Sequence, residues 1–437
     1  MSEPGLIIPG LERIAGLLEV MGHPEDGLKY IHIAGTNGKG STGLIIAGIL
    51  QEAGYKVGSY SSPHLHSYRE RYRINGEPIA AERLAIFIER MKGYADDAAQ
   101  RGYDVPSEFE ILTAVAFQYF HEEQPDFVVL ETGMGGLYDT TNVIDPVVSV
   151  ITGIDYDHTA FLGETLAEIA FNKAGIIKPG RPVVVGPMSE EALRVIRHQA
   201  DYKRSPLHFS SRVSVTNLAE PGLWGGRVNI AYDGEEIRDV QFSLAGLHQQ
   251  NNLALALTSL LVMADNIGYP EGFTAEGAFC SEVVLRRALA GLSHPGRLEV
   301  IREHPLVIVD AAHNPQGTRA LAESLAAILP GRQRILVCGW LNDKDVRHAL
   351  EPLAENTRLC LVTRPVGARG SAWQRVAGIW QEICPHKSSE MVESISKAVD
   401  RGLELLQGNE YLLITGSFYV LDEARSHLLV KDKLSIC

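Results

Sequence analysis

The run His32-Ile-Ala-Gly-Thr-Asn-Gly-Lys-Gly-Ser-Thr42 concentrates three glycines, a lysine and paired hydroxyls in eleven residues. It follows an apolar, strand-like stretch at 29–33 and opens a helix-like stretch at 41–54. Glycines let backbone N–H groups face an anion, and a helix N-terminus adds partial positive charge. Lys39 can reach the outer phosphates of a nucleotide, and Ser41 or Thr42 can help hold Mg²⁺. The run departs from the usual phosphate-loop pattern: Ile33 stands five residues before Gly38, and Gly40 separates Lys39 from the hydroxyls. A glycine-rich turn alone is often only a tight turn. The strand before it and the helix after it predict a nucleotide-phosphate site.

Other chemistry-bearing residues fall where apolar strands end, which is where open α/β sheets bind ligands. Asp126-Phe-Val-Val-Leu-Glu131 ends in a carboxylate followed by Thr-Gly-Met-Gly-Gly136. Glu131 there is either a Mg²⁺ ligand or the cap of the next turn. Asp155-Tyr-Asp-His158 follows the stretch 147–152, so His158 is either a metal ligand or a hydrogen-bonded structural residue. Ser62, after the short strand 56–59, is a hydroxyl ligand or a turn residue before Pro63. Lys173 lies at a helix end, where lysines ordinarily favour the helix dipole. Asp310-Ala-Ala-His313-Asn-Pro315 ends another strand and reads as cleft residues or as an Asx turn with a helix cap. Arg297, in Pro295-Gly-Arg297, can bind phosphate across an interdomain cleft or stay solvated.

The elements that must position these groups alternate between short apolar strands and amphipathic helices. That is the pattern of an α/β protein with mostly parallel sheets. Strands are predicted at 30–34, 127–130, 147–152 and 182–186, with helices at 82–101, 110–122 and 165–176. The segment 207–244 reads as a small antiparallel excursion, and a helix resumes at 251–267. Gly291-Leu-Ser-His-Pro-Gly296 reads as a hinge. Beyond it, strands at 306–310, 335–338, 359–363 and 411–415, with helices at 318–329 and 395–406, predict a second, smaller doubly wound domain.

The bulk numbers agree with this. A chain of 437 residues exceeds one ordinary core. A net charge of −14 argues against nonspecific nucleic-acid or anionic-membrane binding. Met1-Ser-Glu-Pro-Gly lacks a basic signal region, and no apolar run reaches about 18 residues. The five cysteines, Cys280, Cys338, Cys360, Cys384 and Cys437, are scattered without a CxxC, so a cytoplasmic location is expected.

In order, these runs resemble the folylpolyglutamate synthase/dihydrofolate synthase family of the Mur ligase superfamily. The matching segments are Ala34-Gly-Thr-Asn-Gly-Lys-Gly-Ser41, Tyr60-Ser-Ser-Pro-His-Leu65, Phe109-Glu110 and Leu130-Glu-Thr-Gly-Met-Gly-Gly136 with Asp139-Thr-Thr-Asn142. They continue through Asp157-His158, Leu162-Gly163, Lys173-Ala-Gly-Ile176, Gly246-Leu-His-Gln249 with Asn252, Pro295-Gly-Arg297, Asp310-Ala-Ala-His-Asn-Pro315 and Thr415-Gly-Ser417. Leu137 stands where the family usually has arginine, Leu253 where alanine is common, and Ala311 where glycine is usual.

The resemblance implies a P-loop, Mur-ligase-type ATPase domain over 1–293 and a smaller Rossmann-like glutamate ligase domain over 297–437. It implies an ATP-dependent amide ligase in folate biosynthesis. The enzyme would add L-glutamate to dihydropteroate and to tetrahydrofolate glutamates through an acyl phosphate, carrying both activities as a monomer. Carried over by position, Asn37, Gly38, Lys39, Gly40, Ser41 and Thr42 would hold phosphates, and Asn252, Arg297 and Asp310 would bind ATP, with His313 nearby. Lys39, Lys173, Asp310 and His313 would form the catalytic set. Ser62, Glu131 and His158 would ligate Mg²⁺, with a carbamylated Lys173 serving a second ion. Ser107, Phe109, Glu110, Tyr138, Asp139 and Thr140 would line the pterin pocket.

Three rivals remain at this point. A Mur ligase acting on a UDP-linked precursor usually carries an extra N-terminal domain, whereas about 34 residues precede Gly35 here. Its Lys-Thr-Thr turn also differs from Lys-Gly-Ser. A nucleotide switch would not need Arg297, Asp310 and His313. A related ligase joining another amino acid to a different acid is the third, and Leu137 bears on it.

Overall fold

The computed structural model describes residues 10–269 and 278–434. The readings made on Met1–Gly5 and on Cys437 lie outside them. Seventeen strands form three sheets among the described residues.

The first sheet contains β1 (Tyr30–Ala34), β2 (Val57–Tyr60), β3 (Tyr72–Ile74), β4 (Glu77–Pro78), β5 (Phe127–Glu131), β6 (Val148–Ile151), β7 (Val183–Val185) and β8 (Leu207–Phe209). Their order is β4-β3-β2-β5-β1-β6-β7-β8. The six strands from β2 to β8 in that order are parallel, and β3 and β4 form an antiparallel edge. Every residue of β1 and β5 is buried, as expected when helices cover both faces. The period-2 alternation divides β1 between two cores. Ile31 and Ile33 pack with the helices Lys39–Glu52 and Gln249–Ile267, and Tyr30 packs with Glu12–Met21 and Glu108–Glu123.

Register fixes the site. Ile33 lies beside Glu131 and Ala34 beside Ile151. The turn after β1, the carboxylate ending β5 and the loop after β6 therefore emerge side by side at one sheet edge.

The expected antiparallel excursion begins later than the sequence suggested. Leu207–Phe209 is the eighth strand of the main sheet, paired in parallel with β7 after the crossover helix Glu190–Tyr202. Only β9 (Ser214–Asn217), β10 (Gly226–Tyr232) and β11 (Glu235–Phe242) form the separate antiparallel sheet. Its hairpin turns on Asp233 and Gly234, at φ 47° and 84°, the positive pair a tight two-residue turn requires.

The chain then passes through 291–297 into a third sheet of β12 (Glu299–Glu303), β13 (Leu306–Val309), β14 (Arg334–Cys338), β15 (Thr357–Val362), β16 (Ser388–Met391) and β17 (Tyr411–Thr415). The order is β12-β13-β17-β14-β15-β16, with only β12 antiparallel. Among the described residues, no helix is long and apolar enough to cross a membrane.

Candidate active site between the two parallel sheets

The turn after β1 is shaped by close backbone approaches. Gly35 sits at φ 150°, and a Cβ there would lie 1.8 Å from the Thr152 hydroxyl. Thr152 Oγ1 donates to the Asn37 carbonyl at 2.6 Å. Gly38, at φ 84°, leads directly into the helix, and a Cβ on it would lie 2.6 Å from Asn252 Oδ1. The helix Lys39–Glu52 has no side-chain cap, whereas Ser107, Thr165, Ser189 and Asn314 cap their own helices. Its leading N–H groups are therefore left for an anion.

Two lysines and one carboxylate converge on this turn. Lys39 Nζ donates to the carbonyls of Gly35 (3.1 Å) and Thr36 (3.4 Å) and lies 3.9 Å from Glu131. Lys173, at the end of the helix Leu166–Lys173, donates to the same Gly35 carbonyl at 2.8 Å. Burial, and then the nearby Lys39 charge, lowers the Lys173 pKa to about 7. Burial raises that of Glu131 to about 7, against the pull of Lys39 and Arg297. The Ser62 backbone N–H faces the Glu131 carboxylate and pulls its pKa down. Behind the turn, Ser41 Oγ lies 3.2 Å from His294 Nδ1 and accepts from Gln249 Nε2 at 3.4 Å. Gln249 in turn accepts from Asn252 at 2.9 Å. Burial, reinforced by Arg297, lowers the His294 pKa to about 3 and keeps its ring neutral.

The third sheet closes over the same turn. Asn37 and Asn314 exchange side-chain hydrogen bonds at 3.1 Å each, and Asn37 donates to Gln316 at 2.6 Å. Asp157 accepts from Asn314 (3.0 Å) and Lys344 (2.6 Å), with His313 Nε2 at 3.6 Å and His158 Nε2 at 3.9 Å. Burial would raise the Asp157 pKa, but the neighbouring His313 and the Lys344 charge outweigh it and hold the group well below the usual carboxylate range. Burial lowers the His158 pKa to about 4 despite Asp157.

Asp310 spends both oxygens on backbone: Oδ2 accepts from Leu298 N–H and Oδ1 from Ala312 N–H, each at 2.8 Å. The Asx turn and the Asn314 helix cap read from the sequence are thus both present. Their effect is to brace the arm carrying Arg297 against the loop carrying His313. The Arg297 guanidinium lies 5.2 Å from the Phe418 ring centroid.

Ser107, Phe109, Glu110, Tyr138, Asp139 and Thr140 occupy a neighbouring region. Ser107 and Glu110 form a capping box, and Glu110 also pairs with Arg13 at 3.0 Å. The Phe109 ring packs so closely on Gly133 that a Cβ there would lie 2.2 Å from it. Asp139 accepts from Met134 N–H (2.8 Å) and Thr141 (2.5 and 3.1 Å), and burial raises its pKa. Thr140 Oγ1 meets Thr113 Oγ1 at 2.6 Å. Tyr138 is exposed and, with Leu137, Phe161 and Phe171, lines an outward depression of about 580 Å³.

The donor set suits a hard cation. Glu131 is a buried carboxylate whose nearest ammonium is 3.9 Å away, and the buried Thr42 hydroxyl has no partner among the described residues. No three His, Cys, Asp or Glu side chains cluster as a complete metal site among the described residues. Mg²⁺ characteristically takes one or two carboxylates and completes its shell with phosphate and water.

Lys344, Asp157, His294, Gln249 and Gln316 entered this cluster without being singled out as site residues. Lys344 follows β14, so the strand-end rule that found Glu131 applies to it as well. His294 adjoins the Pro295-Gly-Arg297 segment.

The chain matches the Mur ligase middle domain over residues 33–260 and the Mur ligase glutamate ligase domain over residues 296–418. It belongs to the Mur ligases and is an ATP-dependent ligase. It is 37% identical over 425 residues to the dihydrofolate synthase/folylpolyglutamate synthase of Bacillus subtilis, covering 96% of this chain and 95% of that one. It is 34% identical over 428 residues to the folylpolyglutamate synthase of Lacticaseibacillus casei, covering 95% and 94%. Among solved structures, Mycobacterium tuberculosis folylpolyglutamate synthase complexed with ADP superposes with a TM-score of 0.88 at 31% identity, covering 97% and 95%. E. coli FolC in complex with DHPP and ADP gives 0.84 at 28% identity, covering 98% and 95%. Within the Mur ligases, the chain belongs to the dihydrofolate synthase/folylpolyglutamate synthase family.

Proposed function

We propose that this chain joins L-glutamate to dihydropteroate and to reduced folates, using ATP, with residues 1–293 and 297–437 as its two working domains. The observation that carries the reading is the convergence of Lys39, Lys173 and Glu131 on a glycine turn capped by Asn314, in the loop after β13. The relatives' names supply the substrate class. The four described cysteines are free thiols, which suits a reducing cytoplasm.

The acceptor carboxylate attacks the γ-phosphorus of ATP, the bond to the bridging oxygen breaks, and ADP leaves. The glutamate amine then attacks the acyl carbon, and phosphate departs from the tetrahedral intermediate as the amine loses its proton. Both steps bring anions together, so catalysis is mainly positioning and charge compensation. The uncapped N–H groups at 39–41 receive phosphate oxygens. Lys39 swings from its backbone carbonyls to the outer phosphates. Arg297 approaches from the other domain and offsets charge at the transferring group. Asn252 and Asp310 frame the nucleotide, and Ser107, Phe109, Glu110, Tyr138, Asp139 and Thr140 frame the pterin end of the acceptor.

Ser62, Glu131 and His158 would hold Mg²⁺, which supplies Lewis-acid screening of the phosphates when bound. A neutral amine reacts with CO₂ where an ammonium does not, so the lowered pKa of Lys173 favours carbamylation into a carboxylate for a second ion.

The test is ATP-dependent phosphate release with L-glutamate, offering dihydropteroate and tetrahydrofolate separately. Release with both is the expected result. Release with one assigns a single activity, and release with neither from protein that binds ATP overturns the acceptor assignment.

A further inference from the structure

Asp157 is the point at which the two halves of the cleft meet. It lies in the loop after β6, and its side chain is only 10% exposed. Oδ1 accepts from Lys344 Nζ at 2.6 Å and from the His158 backbone N–H at 2.9 Å. Oδ2 accepts from Asn314 at 3.0 Å, with His313 Nε2 at 3.6 Å. One carboxylate thus touches His158 on its own side and His313, Asn314 and Lys344 on the other.

Lys344 is presented on a built support. Its side chain is 7% exposed. Arg375 donates to three carbonyls of the loop that carries it, those of Leu341 (3.1 Å), Asn342 (2.9 Å) and Lys344 itself (3.1 Å). Asn342 ties the same loop to Ser371 and to the Ala372 N–H, each at 3.0 Å. A flexible surface lysine needs no such scaffold.

The geometry points to Lys344 as a positioning residue that acts through Asp157. It orients His158 and His313 and holds the C-terminal sheet closed over the phosphate turn. Each half has its own hydrophobic core. Loss of the pair therefore shifts an open–closed equilibrium and leaves both halves folded. A buried pair is costly to break from one side, because the remaining charge is stranded.

The experiment pairs Lys344→Met with Lys344→Arg. Domain separation is measured between spin labels on Tyr202→Cys and Met391→Cys, both exposed positions, with ATP and no acceptor. Lys344→Met should shift the distribution to longer distances and lower kcat about 100-fold, with KM for ATP within about threefold. Lys344→Arg should restore the short distance and most of kcat. Wild-type distances in Lys344→Met, kcat within about threefold of wild type, or no recovery with arginine would overturn the assignment. Should Lys344→Met fail to fold, Asp157→Asn breaks the same contact from the other domain and must open the cleft likewise. The kcat arm rests on the proposed acceptors. The distance arm does not, so a wrong acceptor leaves the closure result standing.

Discussion

Lys39 and Lys173 place their amines on one oxygen, the Gly35 carbonyl, at 3.1 and 2.8 Å. Lys173 is buried, and burial, reinforced by the nearby Lys39 charge, lowers its pKa to about 7. On the proposed reading, Lys39 serves the phosphates and Lys173 is the amine that reacts.

If Lys173 is carbamylated, ¹³C-bicarbonate should give a carbamate NMR signal in wild-type protein that Lys173→Ala lacks. Turnover of Lys173→Ala should fall by about 10²- to 10³-fold and recover partly with acetate, a small carboxylate that fits the vacated space. Absence of both the signal and the rescue would leave Lys173 a structural lysine on the Gly35 carbonyl.

Much of the candidate site was legible because β1, β5 and β6 are fully buried, mostly apolar runs, broken only by His32 and Ser149, that lead into Gly35, Glu131 and Asp155, and parallel sheets gather such ends. What was not legible depended on long-range pairing. Lys344 sits in Asn342-Asp-Lys-Asp345, which reads as a solvated loop, and its partner Asp157 is 187 residues away. Leu207–Phe209 is a three-residue edge strand with a polar centre, too short to show a period of its own. Asp139, Glu110 and Asp310 show the opposite limit. Residue type cannot tell a carboxylate aimed at a ligand from one occupied by its own backbone, and all three bond nearby N–H groups.

Lys39→Ala and Glu131→Gln should each lower phosphate release by about 10²- to 10³-fold. Thermal midpoints should stay within a few degrees of wild type, because neither change opens an apolar cavity and Glu131→Gln removes a buried charge. Near-normal turnover in either variant would remove that residue from the site.

Lys178 gives a pH signature outside the cleft. Burial, reinforced by Lys203, lowers its pKa to about 8, and its ammonium donates to the Asn142 carbonyl at 2.8 Å. The unfolded lysine titrates near 10.4, so between about pH 8 and 10.4 the unfolded chain binds more protons. Stability contributed by this group therefore rises with pH across that window. Denaturant titrations at pH 8 and 9.5 should show wild-type protein gaining stability relative to Lys178→Met over the interval. Parallel curves for the two proteins would contradict the lowered pKa.

The loop that carries Ser62 is fastened to the C-terminal half in two ways, and the two should differ in strength. Leu65 is buried in the apolar cluster of Val309, Val420 and Leu421, all from beyond the 291–297 connection. His66 makes the other contact, 2.6 Å from Asp422, whose side chain is 52% exposed, and 2.9 Å from Arg425. Glu70 rigidifies the loop by accepting from the N–H groups of Leu65, His66 and Ser67, each at 2.9 Å. Removing a buried leucine typically costs about 2–5 kcal/mol, whereas an exposed ion pair contributes about 0–1 kcal/mol. The leucine contact spans the two halves, so part of its loss is expressed as opening and as displacement of Ser62 from Glu131. Leu65→Ala should therefore lower kcat by about 10- to 100-fold, and His66→Ala by less than about fivefold. Steady-state rates of the two variants decide it: equal losses would assign the coupling to the ion pair, and no loss in Leu65→Ala would detach this loop from closure.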